Sequence, residues 1–256
     1  KADDRLDITR RITIPAERIR ATSRLTVIVN PSLASVIRDA LPYMIDYPYG
    51  CVEQTLNRFV PAVLAAGAFD KLGIPRDAAL EARTREATAA GLARLADFQH
   101  GDGSWGWWKD DASNPHMTAL VVHGLTLARQ AGLEVDNSMY ERGLESVRRA
   151  VREYDPKKTD DGFYWRSSRL NTLALQQLVL ALADQPNPKA NDALWAERDE
   201  LSPQSLAMLA RSLWRAGRQD DARVVLRNLH NFATVTPENE TAHWGEIHRC
   251  WYWWDD

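Results

Sequence analysis

The stretch DYPYGCVEQTLNRFVPA, residues 46–62, sets a turn against a helix and decides how the rest of the chain is read. Tyr47-Pro48-Tyr49-Gly50 cannot continue a helix, because proline lacks an N–H and restricts the residue before it. Cys51 then opens a helix that carries Val52, Glu53 and Gln54. Side chains three apart on a helix are neighbours, with Cβ atoms about 5–6 Å apart. The Cys51 sulfur and the Gln54 side-chain carbonyl can therefore meet inside the first turn. A helix N-terminus favours negative charge, so a thiolate at Cys51 is both a competent nucleophile toward the Gln54 amide and a good leaving group afterwards. Loss of ammonia closes a small ring containing a thioester.

A thioester is an activated acyl donor. An amine or hydroxyl of another molecule attacks the former Gln54 carbonyl, frees the Cys51 thiol and ends covalently attached to the chain. This happens once per chain, so it is a trap and not turnover catalysis. Water competes and must be kept out until the moment of use. Tyr47 and Tyr49 flank the site; they either form a lid or simply pack the turn against the helices behind it.

Working outward, the first thirty residues differ from the rest. LDITRRITIP and RLTVIVN are rich in β-branched residues with partial alternation and read as two strands. From Pro31 the period becomes helical, through PSLASVIRDALPYMI, CVEQTLNRFVPAVLAAGAFDKLG and RDAALEARTREATAAGLARLADFQ. Further helices are predicted over roughly 115–131, 138–154, 167–184, 190–199, 203–216 and 219–233 from the same periodicity. Asn137, Ser202 and the Gln219-Asp220 pair stand at caps or first turns. Leu133–Ser138 and QPNPK at 185–189 read as turns.

Between helices one loop type recurs: GDGSWGWW at 101–108, DDGFYW at 160–165 and HWGEIHRCWYWW at 243–254 combine glycine with stacked aromatics. Helix, aromatic loop, helix, repeated, predicts a mainly α chain built as an α/α toroid of helical hairpins, with an open helical solenoid as the alternative. The strands of 1–30 are assigned to a flanking β domain and 31–256 to the helical domain.

Composition bounds the function. With 45% hydrophobic and 26% charged residues and a formal net charge of −3, the chain is an ordinary globular one without the clustered cations of a nucleic-acid surface. It has no apolar run of about 18 residues, and no segment is expected to meet a membrane. Lys1 and the terminal WYWWDD read as the edges of a piece of a longer protein. Cys51 and Cys250 are compatible with a disulfide, a weak metal half-site or two separate thiols.

A bare Cys-x-Glu-Gln arises by chance and usually marks a buried thiol beside two polar residues. YPYGCVEQTLNRFVPA goes further: it resembles the thioester motif of the α2-macroglobulin family, especially its bacterial members, a family related to the complement components. NPHMTALVVHGLTLARQAGL is similar to the helix after the thioester helix pair, AHWG…WYWWDD to the stretch before the last hairpins, and the strands before Pro31 to a CUB-like domain. The resemblance implies that Cys51 and Gln54 are the bonded pair, with Glu53 the acid between them. Val52 stands where complement and vertebrate members have glycine. Some complement proteins use a distant histidine to redirect the thioester toward hydroxyls. REYDPKKTDDGFYW at 152–165 has none, which favours direct attack by lysine amines. The resemblance also implies a protease inhibitor without a cofactor that covalently captures attacking proteases through Gln54, working with the rest of its own macroglobulin chain. Its expected place is the periplasm or outside the cell, with an inner-membrane anchor compatible in the part before this chain.

Rival sites are weaker. His243, His248 and Cys250 lie within eight residues but match no standard zinc spacing. His116 and His123 share a predicted helix, where packed or surface histidines are the commoner case. QHGDGSWG at 99–106 resembles the Gln-Trp repeats of terpenoid cyclases, yet no Asp pair here completes their acid or magnesium motifs. A toroidal glycosidase would draw on Asp102, Asp110, Asp111 and Glu53, but no spacing singles out a pair, and loop aspartates are usually caps and turn formers.

Overall fold

The structure, a computed structural model, describes residues 11–27, 40–43, 50–72, 78–155, 162–236 and 241–244. The helical period from residue 51 onward produces helices α1 (Val52–Leu72), α2 (Ala78–Asp97), α3 (Pro115–Gln130) and α4 (Asn137–Arg152). They are followed by α5 (Gly162–Leu182), α6 (Pro188–Ala196), α7 (Pro203–Arg215) and α8 (Gln219–Asn231). A helical turn lies at 40–43.

Three of the helix starts share one local device, a polar cap followed by proline. Asn114 Oδ1 accepts from the Met117 N–H at 2.9 Å ahead of Pro115, and Asn187 Oδ1 from Ala190 N–H at 3.1 Å ahead of Pro188. Ser202 Oγ accepts from Ser205 N–H at 3.2 Å ahead of Pro203. Each cap satisfies an N–H that has no partner in the helix, and proline next to it has no N–H to leave over. The start of α4 is capped by Asp136, with Asn137 in the first turn. QPNPK, read as a turn, is thus also the start signal of α6.

Packing alternates along the chain. Helices α1, α3, α5 and α7 pack each against the next, while α2, α4, α6 and α8 each pack on the helix that precedes them in the chain. The first set is a continuous row and the second an outer layer. Burial agrees: α3 buries Met117, Ala119, Val121, Val122, Leu125 and Ala128 on nearly all sides, whereas α4 buries one stripe. At roughly 1.5–3 kcal/mol for each large apolar side chain buried, packing outweighs intrinsic propensity in holding α3, which contains β-branched valines and a glycine. The main core runs unbroken from Val52 on α1 to Val225 on α8. The chain is therefore mainly helical, as its period predicts.

Two differences from the sequence reading have physical reasons. No strand forms among the described residues 11–27, which hold a single 3-10 turn, Arg20–Thr22. Ile12, Ile14, Ile19, Leu25 and Val27 are all exposed there, and β-branched segments stay unpaired without a partner edge. DDGFYW, expected as a loop, has its residues from Gly162 onward in α5. The structure adds a small antiparallel hairpin, β1 (Thr234–Thr236) with β2 (Thr241–His243), just ahead of the aromatic stretch that begins at residue 243.

Two histidines are placed inside this packing. His116 Nδ1 lies 3.4 Å from Thr172 Oγ1 of α5, and burial lowers its pKa below the ordinary 6.5. His123 is lowered by burial and then by the nearby Arg211 cation of α7. Because the folded values lie below the unfolded one, the unfolded chain takes up protons first as the pH falls. The stability carried by neutral imidazoles is full above about 6.5 and is lost as the pH drops from there toward the folded values. The melting temperature is expected to fall between pH 7.5 and 5.5, and His116→Gln/His123→Gln to flatten that slope. An unchanged slope in the double variant would assign the acid sensitivity elsewhere.

Candidate functional site

Cys51 sits immediately before α1 and is buried, at 8% exposure, as a free thiol. Gln54 folds back across the first turn, and its Oε1 accepts from the Cys51 backbone N–H at 3.1 Å. This is the reciprocal half of a capping box, with glutamine at the third helical position reaching the residue ahead of the helix. The consequence is chemical: the side-chain carbonyl lies over the backbone of the residue that carries the thiol. The bond ties the Gln54 side chain to the Cys51 backbone within one turn. Glu53, half-buried in the same turn, places a carboxylate at the positive end of the helix.

Gly50 is part of this arrangement. A Cβ built there would lie 1.8 Å from Gln54 Oε1 and 3.0 Å from its Cδ. The carboxamide thus occupies the place where any other residue would carry its side chain.

Three further bonds fix the turn, two of them from outside it. Arg94 Nη2 of α2 donates to the Gly50 carbonyl at 2.8 Å, and Val52 N–H donates to the Trp107 carbonyl at 2.8 Å. Thr55 Oγ1 donates to the Cys51 carbonyl at 3.0 Å. The Trp107 strut is itself braced, because its N–H donates to Asp111 Oδ2 at 2.9 Å. The aromatic loop of 101–108 therefore meets the Cys51 turn directly.

That loop is anchored by Trp105, fully buried, whose Nε1–H donates to the Leu95 carbonyl at 2.8 Å. Its backbone N–H donates to Thr118 Oγ1 at 3.0 Å. Gln99 Nε2 donates to the carbonyls of Gly103 and Met139, and Arg142 donates to Gln99 Oε1. The Gln-Trp stretch is here a splice between α2, the loop and α4.

Two of the carboxylates nominated for a glycosidase, Asp102 and Asp111, hold local structure. Asp102 Oδ1 accepts from the N–H and hydroxyl of Ser104, and its Oδ2 pairs with Arg149 at 3.1 Å. The Ser104 hydroxyl bond, set against partial burial and aided by its backbone N–H and Arg149, holds this carboxyl below the usual range. Asp111 braces Trp107. A cavity of about 150 Å³, lined among others by Asp102, Ser104, Ser113, Arg149 and Gln176, lies beside this network, and neither Cys51 nor Gln54 lines it. Among the described residues no three His, Cys, Asp or Glu side chains are placed to share a metal. Tyr47, Tyr49, His248 and Cys250 lie outside the described residues.

Sequence reading singled out Cys51, Gln54 and Glu53, which the structure places together at the start of α1. It missed Gly50 as a spatial requirement, and Arg94 and Trp107 as partners of the turn. The Gly50 role is carried by the glutamine four residues on; the other two join positions 44 and 55 residues apart, beyond any local spacing.

The profile of the A-macroglobulin TED domain matches residues 23–179. The chain is 38% identical over 149 residues to alpha-2-macroglobulin of Thermotoga maritima, covering 58% of this chain and 9% of that protein. It is 25% identical over 157 residues to thioester-containing protein 1, allele S3, of Anopheles gambiae, covering 59% of this chain and 12% of that protein. The native conformation of Escherichia coli alpha-2-macroglobulin superposes with a TM-score of 0.64 at 25% identity, over 80% of this chain and 13% of that chain. This chain therefore spans about a tenth of the length of these relatives.

Proposed function

The chain belongs to the A-macroglobulin TED-domain family, and on that footing we propose that Cys51 and Gln54 form an internal thioester which captures proteases covalently. The observation that carries the proposal is the 3.1 Å bond from the Cys51 N–H to Gln54 Oε1, which draws the acyl carbon to the residue bearing the buried thiol. Closure joins sulfur to the Gln54 acyl carbon and releases ammonia. Capture joins a lysine amine of the protease to that carbon and releases the thiol. The event occurs once, so the protein acts as a single-use inhibitor and not as an enzyme.

Several features support this reading. Burial of Cys51 and Val52 limits the approach of water to the acyl group. The family match over residues 23–179 includes the turn and the first helices, and the chain is also similar over 157 residues to a protein named for its thioester. In the whole protein, cleavage of another segment by the attacking protease exposes the acyl group, and Tyr47 and Tyr49 serve as its cover until then. Residues 1–30 belong to a neighbouring CUB-like domain, and residues 31–256 to a toroid of helical hairpins. The protein acts in the periplasm or outside the cell. No helix among the described residues is long and apolar enough to cross a membrane.

Intact mass before and after methylamine tests the chemistry. The chain is expected about 17 Da lighter than its sequence mass, the ammonia lost on acyl transfer, and methylamine should then add to Gln54 and expose the Cys51 thiol. A sequence mass with an unmodified Gln54 in peptide mapping would sink the thioester. A glutamate at position 54 would instead mark a bond that formed and was hydrolysed.

A further inference from the structure

The peptide group between Gly50 and Cys51 is held at both ends. Its carbonyl oxygen accepts from Arg94 Nη2 at 2.8 Å, and its N–H donates to Gln54 Oε1 at 3.1 Å. We propose that Arg94 is a positioning residue for the thioester, acting through this one peptide group on the oxygen that carries charge during bond closure and capture. The inference rests on the thioester reading and adds a residue to it.

The chemistry places the charge. In closure the Cys51 sulfur bonds to Gln54 Cδ, and the carbonyl electron pair moves onto Oε1. The C–Nε2 bond then breaks, and the thiol proton leaves on ammonia. In capture an amine nitrogen bonds to the same carbon, and the same oxygen becomes the anion. The C–S bond then breaks, and the proton shed by the amine completes the thiol. Both tetrahedral species put negative charge on the atom that already accepts from the Cys51 N–H. A donor aimed at such an oxygen is worth about 10²–10³ in rate.

Arg94 touches none of these atoms. A cation bonded to the oxygen end of an amide draws electron density toward itself and makes the opposite N–H a stronger donor. It also fixes the plane of the group, and so the direction of that N–H. The guanidinium is itself held, lying 4.6 Å above the ring of buried Phe98. The next peptide group, between Cys51 and Val52, is tied to Trp107. Both peptide groups that flank the Cys51 Cα are thus bonded to residues of the segment from Arg94 to Trp107, and the site is preorganised by a part of the chain distant in sequence.

The test uses the full chain with Arg94→Gln and Arg94→Lys, and Val225→Ala as a control that loosens the core at α8, which packs on α7. Closure is scored by peptide mapping as the fraction of chains with position 54 either thioester-linked or hydrolysed, and opening as the methylamine rate constant. Arg94→Gln is expected to slow closure and opening by about 10-fold, part of the full effect of an oxyanion donor, while Arg94→Lys retains most of the parental rate. Val225→Ala should melt at lower temperature and react as the parent does. Parental rates in Arg94→Gln, or equal slowing in Val225→Ala, overturn the role of Arg94 while the parent still shows the thioester. An unmodified Gln54 in the parent removes both the role and the thioester.

Discussion

Gly50→Ala is expected to leave the fold standing and to abolish efficient thioester closure. The new Cβ would lie 1.8 Å from Gln54 Oε1, a separation no pair of non-bonded atoms sustains, so one of them moves. The atom that gives way is the tip of a flexible side chain on the first turn of α1. Displacing it costs the helix little. A compatible Gly→Ala change alters stability by about 0.4–1 kcal/mol, through the unfolded chain. The chemistry has no such slack. Gln54 loses the bond from the Cys51 N–H, and its acyl carbon leaves its position beside the Cys51 backbone. A misplacement of about 1 Å at a reacting centre costs on the order of 100-fold. The measurement is a mass spectrum of Gly50→Ala beside a melting curve. A parental melting temperature with an unmodified Gln54 supports the geometry. A parental yield of thioester would mean that the close approach of Gln54 to Gly50 is not used in closure.

Much of this arrangement was legible in the residues, and the supports of the turn that were not share one cause. The core-facing helices could be read because apolar residues three and four apart, as in ALVVHGLTLA of α3, have no other economical burial. The proposed pair could be read because Cys51 and Gln54 are three apart at a helix start, where local geometry alone places them in one turn. The supports could not. Arg94 reaches Gly50 from the last turns of α2, and Trp107 reaches Val52 from a loop after it, so both depend on how α1 and α2 pack. The hairpin of β1 and β2 was overlooked for another reason. Each strand is three residues long, too short for alternation to stand out beside the aromatic run after it. At the N-terminus the same β-branched signal misled for residues 11–27, because propensity cannot supply the partner edge a strand needs.

Trp105→Ala should then have the largest effect on the fold and carry the site down with it. The indole is fully buried, and it fills space against Gly143 of α4, where a Cβ would lie 2.8 Å from its ring. Truncating a buried tryptophan costs about 3–5 kcal/mol, most of it lost packing and the cavity left behind. For a chain of this size that is a fall of roughly 6–20 °C in melting temperature. Trp105→Phe separates the terms. It keeps much of the packing but leaves the Leu95 carbonyl without its Nε1–H donor, a loss of about 1–3 kcal/mol. The effect on the thioester comes through connectivity. Trp105 holds the loop whose next residues include Trp107, and the Trp107 carbonyl receives the first N–H of α1. Loosening Trp105 frees that strut, so methylamine and water should both reach the acyl group faster per folded molecule. Measured well below its own melting temperature, Trp105→Phe is expected to hydrolyse its thioester faster than the parent. A variant that melts early yet hydrolyses at the parental rate would show that the aromatic loop holds the fold without guarding the bond.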